Sequence, residues 1–415
     1  MERRRWWRDG NGGEEEGDQE DEEDHQEAET HYQRARLSDR QEDLLAPLEL
    51  SSESSVTYLL DHGLLSVAAA VEHGLDVEEV SGRNRNFIVR CGPQRGYFVK
   101  QAPPAEIGTA GRLSVEAALY QWFAAAPAAE RLRARCPRRL HFDPTRSILI
   151  LDLVDYGVTF HEVADDASSP TLTSLYGLAA VALAECHRIP VREPATDWLP
   201  RSAPWILDVA RPSPASLREL APAQLRLIEA LQSQPDAVAG LDRLRGEWRP
   251  THLIHGDFKW NNVLVVRNAA GAPDRVLLLD WEMAQLGDPA WDVGAGLHAL
   301  LADAVLGLTI TDGVAPEAAA QLLGAALPAL HAAHRDFWEG YLGAARLSGS
   351  EASAMLRRLP DHVAARLIKT AYEWSQAEAH MPRRAAAVLQ LGINMLLRSD
   401  QAGALVLDTW ISAAG

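Results

Sequence analysis

Two side chains on one short polar segment have the types and spacing needed for phosphoryl transfer. Asp257 and Asn262 stand five residues apart between two apolar runs, and Asp280 ends the second run. If the runs pair as neighbouring strands, the hairpin brings all three side chains together. A carboxylate can accept the proton of a hydroxyl group, and Mg²⁺ prefers oxygen ligands of this kind. The pattern predicts phosphoryl transfer, in which catalysis is mainly positioning and charge neutralisation.

The elements before this hairpin form a β-rich region with one helix. The segments 87–90 and 97–100 are β-prone and are separated by turn residues, so they predict a hairpin. Apolar residues at helical spacing predict a helix over 113–123, with Glu116 on a neighbouring face. The apolar run 148–154 predicts a buried strand.

Helical patterns dominate the rest of the chain. The proline-rich stretch 190–222 breaks any helix, so it predicts a long connection on the surface or at the edge of an acceptor site. Helices are predicted around 316–346 and 352–376. The sequence therefore predicts an α+β fold with an N-terminal nucleotide-binding lobe over 46–152 and a C-terminal catalytic and acceptor-binding lobe over 153–415.

The first 45 residues differ from the remainder. They are poor in apolar side chains and dense in acidic ones, so residues 1–45 are predicted to be a disordered acidic tail. This tail either engages a basic partner or only solvates the chain. It carries about half of the formal net charge of −18. The remainder is mildly acidic, which argues against a nucleic-acid partner and suits a cationic acceptor better.

Composition also bears on location. No run of about eighteen apolar residues lacks charges, and the first residues lack the apolar stretch of a secretory signal. We therefore expect a cytoplasmic protein without a membrane partner. The three cysteines, Cys91, Cys136 and Cys186, match neither a zinc site nor a disulfide framework, which predicts reduced thiols.

Two motifs resemble the aminoglycoside phosphotransferase and choline kinase family, which is related to protein kinases. The first is His255-Gly256-Asp257, four residues, then Asn262; the second is Gly287-Asp288-Pro289, two residues, then Asp292. The resemblance covers about residues 80–300. It implies a protein-kinase-like two-lobed fold, with a small antiparallel β-sheet and one main helix in the N-lobe and a larger, mostly helical C-lobe.

The resemblance also implies ATP and Mg²⁺ as cofactors. It makes Asp257 the catalytic base, adds Lys259 as a cation for the transferring phosphoryl group, and places His255 in the catalytic loop. Asp292 braces that loop. The implied metal ligands are oxygen-bearing side chains: Asn262, Asp280 and Glu282.

Nucleotide contacts are implied in the β-rich lobe. Lys100 and Glu116 resemble the ion pair that grips the α- and β-phosphates, and the carbonyl of Asp152 and the amide of Val154 face adenine. The segment from Ser81 stands where the phosphate-covering loop belongs, but it lacks a full Gly-x-Gly-x-x-Gly pattern. The implied set comprises Lys100, Glu116, Ser81, Gly82, Asn84, Asp152 and Val154.

The acceptor stays open between two classes of hydroxyl compound. One is a small molecule, as in aminoglycoside, choline or homoserine phosphorylation. The other is a Ser or Thr of a ribosomal precursor peptide, because 83–87 and 97–100 look like phosphotransferases of lanthionine and thioamide peptide biosynthesis. A catalytically silent nucleotide-binding scaffold is a third reading. It predicts loss of the base, a metal ligand or Lys100, and none of these is lost.

Two groups of residues, three tryptophans near the loop and four polar residues on the C-terminal helices, each have two possible roles. Trp260, Trp281 and Trp291 are predicted to pack the catalytic loop, or one of them forms a wall for the acceptor. Four side chains on the late helices either close the acceptor pocket or lie on a solvated face: Asp361, His362, Glu373 and Glu378.

Overall fold

The computed structural model describes residues 4–6, 49–80, 84–92, 95–103, 107–154, 157–160, 162–163, 169–191, 196–307 and 316–407. The chain divides into two compact units. The first comprises the described residues within Met1–Trp122 and Pro137–Tyr156. The second comprises those within Phe123–Cys136 and Gly157–Gly415.

The first unit is built on a six-stranded antiparallel sheet with the strand order β1-β2-β3-β4-β6-β5. Its strands are β1 (Arg4–Trp6), β2 (Leu75–Glu79), β3 (Arg85–Cys91), β4 (Arg95–Gln101), β5 (Arg139–Asp143) and β6 (Ile148–Asp152). The predicted hairpin is confirmed, since Ile88 on β3 lies opposite Phe98 on β4. The predicted strand over 148–154 corresponds to β6.

Strand β1 lies within the segment predicted to be a disordered tail. Its backbone pairs with β2, with Arg4 opposite Val77 and Trp6 opposite Leu75. Because an edge strand offers unpaired amide and carbonyl groups, pairing can order a short segment that buries little surface of its own. The other residues of 1–45 lie outside the described part of the chain.

Three helices belong wholly or mainly to this unit: α1 (Ser52–Asp61), α2 (Val67–His73) and α3 (Ile107–Ala125). Helix α1 begins with a capping box, in which the hydroxyl of Ser51 accepts from the amide of Ser54. The inward side chains of β3, Phe87 and Val89, are buried in one core with Leu59 of α1. Alternation along β3 therefore directs one face of the sheet toward the helices.

The second unit contains two small sheets. One has the order β10-β9-β7 and consists of β7 (Gly157–Thr159), β9 (Val263–Arg267) and β10 (Pro273–Leu278). The other pairs β8 (His252–Ile254) with β11 (Gln285–Gly287). The two apolar runs around the polar segment of the sequence are therefore β9 and β10, which form the predicted antiparallel hairpin.

Helices make up most of the second unit. They are α4 (Glu130–Arg133), α5 (Ser169–His187), α6 (Pro214–Leu217), α7 (Pro222–Gln232), α8 (Pro235–Gly246), α9 (Pro289–Gly307), α10 (Pro316–Ala345), α11 (Gly349–Trp374), α12 (Arg383–Leu397) and α13 (Ser399–Leu407). The two predicted late helices correspond to α10 and α11 within three residues at each end. The α+β class is confirmed. None of the helices in the described ranges has both the length and the apolar character needed to cross a bilayer.

Helices α5 and α10 pack closely through two glycines. A Cβ atom added to Gly340 would lie 2.7 Å from the carbonyl oxygen and 2.8 Å from the Cα atom of Gly177. Both contacts are with backbone, so neither can be relieved by rotating a side chain. Gly343, on the same helix, has nothing within 4 Å of such a Cβ atom.

We predict that Gly340→Ala lowers the free energy of unfolding by about 1–3 kcal/mol, because the two helices must separate. Gly343→Ala is the matched control. It should leave the unfolding free energy unchanged or raise it by up to about 1 kcal/mol, since alanine favours a helix over glycine. Urea unfolding followed by circular dichroism compares the two variants, and equal stability would contradict the close packing.

Three buried histidines make the stability of this unit pH-dependent. Burial lowers the pKa of His298 to about 3 and that of His334 and His362 to about 4. In the unfolded chain these groups have a pKa of about 6.5. The unfolded state therefore binds more protons below about pH 6.5, and the unfolding free energy falls as the pH drops toward 4.

We predict a loss of up to about 1.4 kcal/mol per pH unit for each histidine in this window. Urea unfolding at pH 7.5, 6.0 and 5.0 measures the slope. The variant His362→Asn should remove the contribution of one histidine to this slope. An unchanged slope would show that His362 is not held neutral in the folded protein.

Candidate active site

The loop that carries Asp257, predicted to be catalytic, is held by the buried carboxylate of Asp292, in the first turn of α9. Its Oδ2 accepts from the backbone amide of His255 at 2.6 Å, and its Oδ1 accepts from that of Gly256 at 3.0 Å. Nε2 of His187, at the end of α5, lies 3.2 Å from the same Oδ2. The prediction that Asp292 braces this loop is confirmed.

Gly256 is required by the geometry of the loop. Its φ is +78°, and an added Cβ atom would lie 2.1 Å from the carbonyl oxygen of Met283. Only glycine adopts this conformation without strain and leaves room for the neighbouring backbone. The loop therefore turns sharply just before Asp257.

Asp257 is surrounded by three cationic groups. Its Oδ2 accepts from Nζ of Lys259 at 2.8 Å and its Oδ1 accepts from Nζ of Lys369 at 2.9 Å, while the guanidinium of Arg366 lies 3.8 Å away. Burial alone would raise the pKa of Asp257, but Lys369, Lys259 and Arg366 outweigh it and hold the pKa well below its usual value. The carboxylate therefore stays ionised at neutral pH.

The sequence did not point to two of these cations. Arg366 and Lys369 lie three residues apart on α11, so they share one side of the helix. Arg366 also donates to the carbonyl of Phe258 at 2.9 Å and lies over the ring of Trp291, 5.1 Å from its centroid. Their only shared sequence signal is this spacing on a predicted helix, which many solvated helices share.

The four residues that were predicted either to close the acceptor pocket or to lie on a solvated face differ in their burial. Asp361 and His362 are buried, whereas Glu373 and Glu378 are exposed. Glu373 also accepts from Nζ of Lys369 at 2.6 Å. Of the four, Glu373 is therefore linked to Asp257 through one shared lysine.

Asn262 lies on the same loop, in a 3₁₀ turn over Trp260–Asn262. Its Nδ2 donates to the carbonyl of Asp257 at 3.0 Å, and its own carbonyl accepts from the amide of Leu279 at 2.9 Å. These bonds connect the loop to the residue that precedes Asp280. The amide nitrogen is thereby engaged, so Oδ1 is the side-chain atom of Asn262 that could coordinate a metal.

The turn after β10 carries the two acidic candidates for the metal. Asp280 has a left-handed backbone with φ of +66°, and a 3₁₀ turn over Trp281–Met283 follows it. One carboxylate oxygen of Asp280 and one of Glu282 lie within 4.8 Å of each other. A pair of carboxylates and a nearby amide are hard oxygen donors, so these residues fit Mg²⁺.

His255 has a structural position. It is fully buried, its Nε2 lies 2.8 Å from the carbonyl oxygen of Leu279, and its ring centroid is 4.7 Å from that of Trp281. The imidazole thus supports the turn that leads to Asp280. Its membership of the catalytic set stays a prediction.

The three tryptophans near the loop are all buried, with at most 2% of each residue exposed. Trp260 stacks on Phe160 with ring centroids 4.4 Å apart, and Nε1 of Trp291 donates to the carbonyl of Gly256 at 3.0 Å. Packing of the loop is therefore confirmed. The alternative, in which Trp260, Trp281 or Trp291 walls the acceptor, does not fit side chains this deeply enclosed.

In the first unit, Nζ of Lys100 donates to Oε2 of Glu116 at 2.7 Å, with side chains 6% and 1% exposed. The expected pairing is present. The two buried charges stabilise each other, because burying either one without its partner would cost a large desolvation free energy.

The other candidates for nucleotide binding also lie in the first unit. Asn84 is buried, the carboxylate of Asp152 accepts from Arg138 at 3.0 Å, and Val154 is half-buried. Ser81 and Gly82 lie outside the described residues. The adenine and phosphate contacts stay predictions.

The family of this protein follows from a match to a known family of enzymes. A family described as "Phosphotransferase enzyme family" matches residues 76–310, more than half of the chain. The chain belongs to this family. It is thus a phosphotransferase, and the family suspected from the two motifs is confirmed. The sequence has no match among curated proteins.

Several solved structures are similar to this chain at low sequence identity. A choline kinase from Cryptosporidium parvum Iowa II is 12% identical with a TM-score of 0.50, covering 87% of this chain and 100% of its own. The choline kinase LicA from Streptococcus pneumoniae is 16% identical with a TM-score of 0.46, covering 83% and 98%. The ADP-bound aminoglycoside phosphotransferase APH(2'')-Ib is 14% identical with a TM-score of 0.46, covering 84% and 99%. The first of these, with its TM-score of 0.50, confirms the predicted protein-kinase-like fold.

We predict that Lys369→Met raises the pKa of Asp257 toward its ordinary value and lowers the unfolding free energy by about 1–3 kcal/mol, because a charged hydrogen bond is lost. Carbon-detected NMR of the labelled carboxylate follows the pKa. Lys369→Arg is the control and should preserve most of the shift. A pKa unchanged in the methionine variant would show that Lys369 does not influence Asp257.

Proposed function

We propose that this phosphotransferase transfers the γ-phosphoryl group of ATP to a hydroxyl group, with Mg²⁺ as the metal. The observation that carries the proposal is the ionised carboxylate of Asp257, held beside the ammonium of Lys259 on the loop that also carries Asn262. A base, a cation and a metal ligand on one loop are the parts that phosphoryl transfer needs.

Asp257 acts by orienting the acceptor hydroxyl. Because its pKa is held well below the usual range, it is a weak base in the ground state. It accepts a hydrogen bond from the hydroxyl and takes the proton only as the new P–O bond forms. This suits a loose transition state, in which the attacking oxygen gains little bond order early.

Lys259 lies on the other side of the same carboxylate, and its side chain is about half exposed. Burial opposes its charged form, but the carboxylate of Asp257 raises the pKa of Lys259. A permanently charged ammonium at this position stabilises the charge on the transferring phosphoryl group.

Three oxygen donors would hold the metal: Asn262, Asp280 and Glu282. When bound there, Mg²⁺ would neutralise charge on the phosphates. In the first unit, Lys100 is kept charged and fixed by Glu116, and we assign it to the α- and β-phosphates.

The acceptor is either a small hydroxyl compound or a Ser or Thr of a precursor peptide. A catalytically silent scaffold is the alternative to both. It would be expected to lack the base or Lys100, but Asp257 is present and accepts from Lys369, and Lys100 is present and donates to Glu116. Mass spectrometry after incubation with Mg-ATP would separate the two classes, using choline, an aminoglycoside and candidate peptides as acceptors. A mass gain of one phosphoryl group identifies the class.

We predict that Asp257→Asn lowers the rate of ATP consumption by about 100- to 10,000-fold, because the asparagine oxygen can still accept a hydrogen bond from the hydroxyl but cannot take its proton. The control is Asp242→Asn, which removes an exposed carboxylate paired with Arg211 and should leave the rate unchanged. Removal of Mg²⁺ with a chelator should stop the reaction. Equal activity of wild type and Asp257→Asn would refute the enzymatic role.

A further inference from the structure

Lysine is rare in this chain, and the positions of the few lysines are informative. Of the 40 lysine and arginine residues in the sequence, only three are lysines: Lys100, Lys259 and Lys369. The first two are assigned above to the phosphates and to the transferring phosphoryl group. Wherever else the chain carries a cation of this kind, it uses arginine. The third lysine is therefore a candidate for the same machinery.

Lys369 contacts two carboxylates at once. Its Nζ donates to Oδ1 of Asp257 at 2.9 Å and to Oε1 of Glu373 at 2.6 Å. The side chain of Lys369 is 11% exposed, whereas that of Glu373 is 44% exposed. The ammonium is thus enclosed between the predicted base and a carboxylate at the surface. Lysine suits this position, because an ammonium is a compact charge with three rotatable donors, whereas a guanidinium is a planar fork.

Glu373 stands where a helix by itself disfavours a carboxylate. It is the second-to-last residue of α11, and negative charge is unfavourable in the last turn because of the helix dipole. Glu373 also follows Lys369 by four residues, and this order of the two charges stabilises a helix less than the reverse order. Helix stability therefore does not account for the pair, whereas the contact of Lys369 with Asp257 gives it a role at the loop.

Two lysines fix the carboxylate of Asp257, one on each oxygen. Lys259 donates to Oδ2 at 2.8 Å, and Lys369 donates to Oδ1. The terminal torsion of an aspartate is otherwise broad, so these contacts set the direction in which its lone pairs point. That direction matters for catalysis, because a misplacement of about 1 Å can lower a rate about 100-fold.

We propose that Lys369 is a positioning residue for phosphoryl transfer: held by Glu373, its ammonium fixes the plane of the Asp257 carboxylate that receives the acceptor hydroxyl. The inference rests on the function proposed above and adds a residue to it. It also specifies the side chain, because an arginine at this position would bring a second guanidinium to the oxygen that Arg366 already approaches to 3.8 Å. A larger planar group in this enclosed position would displace Asp257 while keeping a positive charge beside it.

Substitution at this position therefore separates charge from position. The assay is ATP consumption by the full chain with the acceptor found by mass spectrometry, at a temperature where each variant is folded by circular dichroism. Lys369→Met should lower kcat by about 10- to 100-fold and leave the KM for ATP unchanged. Lys369→Arg should keep the pKa of Asp257 low but still lower kcat by about 10-fold. Restoration of kcat to the wild-type value by arginine would overturn the proposal, because charge alone would then suffice.

A double-mutant cycle tests whether Glu373 acts through the lysine. Glu373→Gln should lower kcat by about 3- to 10-fold in the wild-type chain, because the ammonium loses one of the two charges that hold it. In the Lys369→Met background the same change should alter kcat by less than about 2-fold. The matched control is Asp242→Asn, which removes an exposed carboxylate paired with Arg211 and should leave kcat unchanged in both backgrounds. Equal effects of Glu373→Gln in the two backgrounds would contradict the coupling.

Nuclear magnetic resonance gives a readout that needs no acceptor. Because the chain has three lysines, lysine labelled with nitrogen-15 gives at most three ammonium signals, and Lys369→Arg identifies the one from Lys369. Ammonium protons exchange rapidly with water unless hydrogen bonds protect them. We therefore expect the Lys369 signal to be present in wild type and lost in Glu373→Gln. A signal absent from wild type, or unchanged in Glu373→Gln, would contradict the bridge between the two carboxylates.

Failure of the proposed function would look different from failure of this inference. It would appear as full ATP consumption in Asp257→Asn, whatever the lysine signals show. Failure of this inference alone would leave Asp257→Asn inactive and Lys369→Arg as active as wild type.

Discussion

The arrangement of the second unit depends on one buried carboxylate that accepts hydrogen bonds from the backbone of the catalytic loop. Asp292 is fully buried, so its charge is tolerated only because two loop amides and His187 surround it. His187 is in turn held by the hydroxyl of Tyr341 at 2.9 Å. Helices α5, α9 and α10 thus fix the loop that presents Asp257.

The charge around Asp257 explains what this aspartate can do. Two ammonium groups occupy its two oxygens, and a guanidinium lies nearby. In the proposed reaction, such an environment would make proton abstraction from a ground-state hydroxyl unfavourable and would leave orientation of that hydroxyl as the main task of Asp257. The same cations favour the accumulation of negative charge near the loop, as phosphoryl transfer requires.

Helix α11 supports the loop from two neighbouring positions. Arg366 binds loop carbonyls from its buried side, Lys369 binds Asp257, and Tyr372 stands beside the exposed Trp205. Residues on successive turns of one rigid helix keep fixed spacings. Helix α11 therefore holds the two cations at a fixed separation beside the loop.

The sequence by itself determined the parts whose chemistry is local. The His-Gly-Asp loop with Asn262, the β9–β10 hairpin ahead of Asp280 and the late helices all follow from short-range spacing and periodicity. Pairing of Lys100 with Glu116 was implied by the resemblance to the phosphotransferase family, and the structure contains it. Tertiary structure alone decided that Arg366 and Lys369 reach Asp257, more than 100 residues away in the chain, and that Trp205 lies beside Tyr372. Such contacts depend on how helices pack, and a helical pattern records which face is apolar but not which distant loop that face will meet.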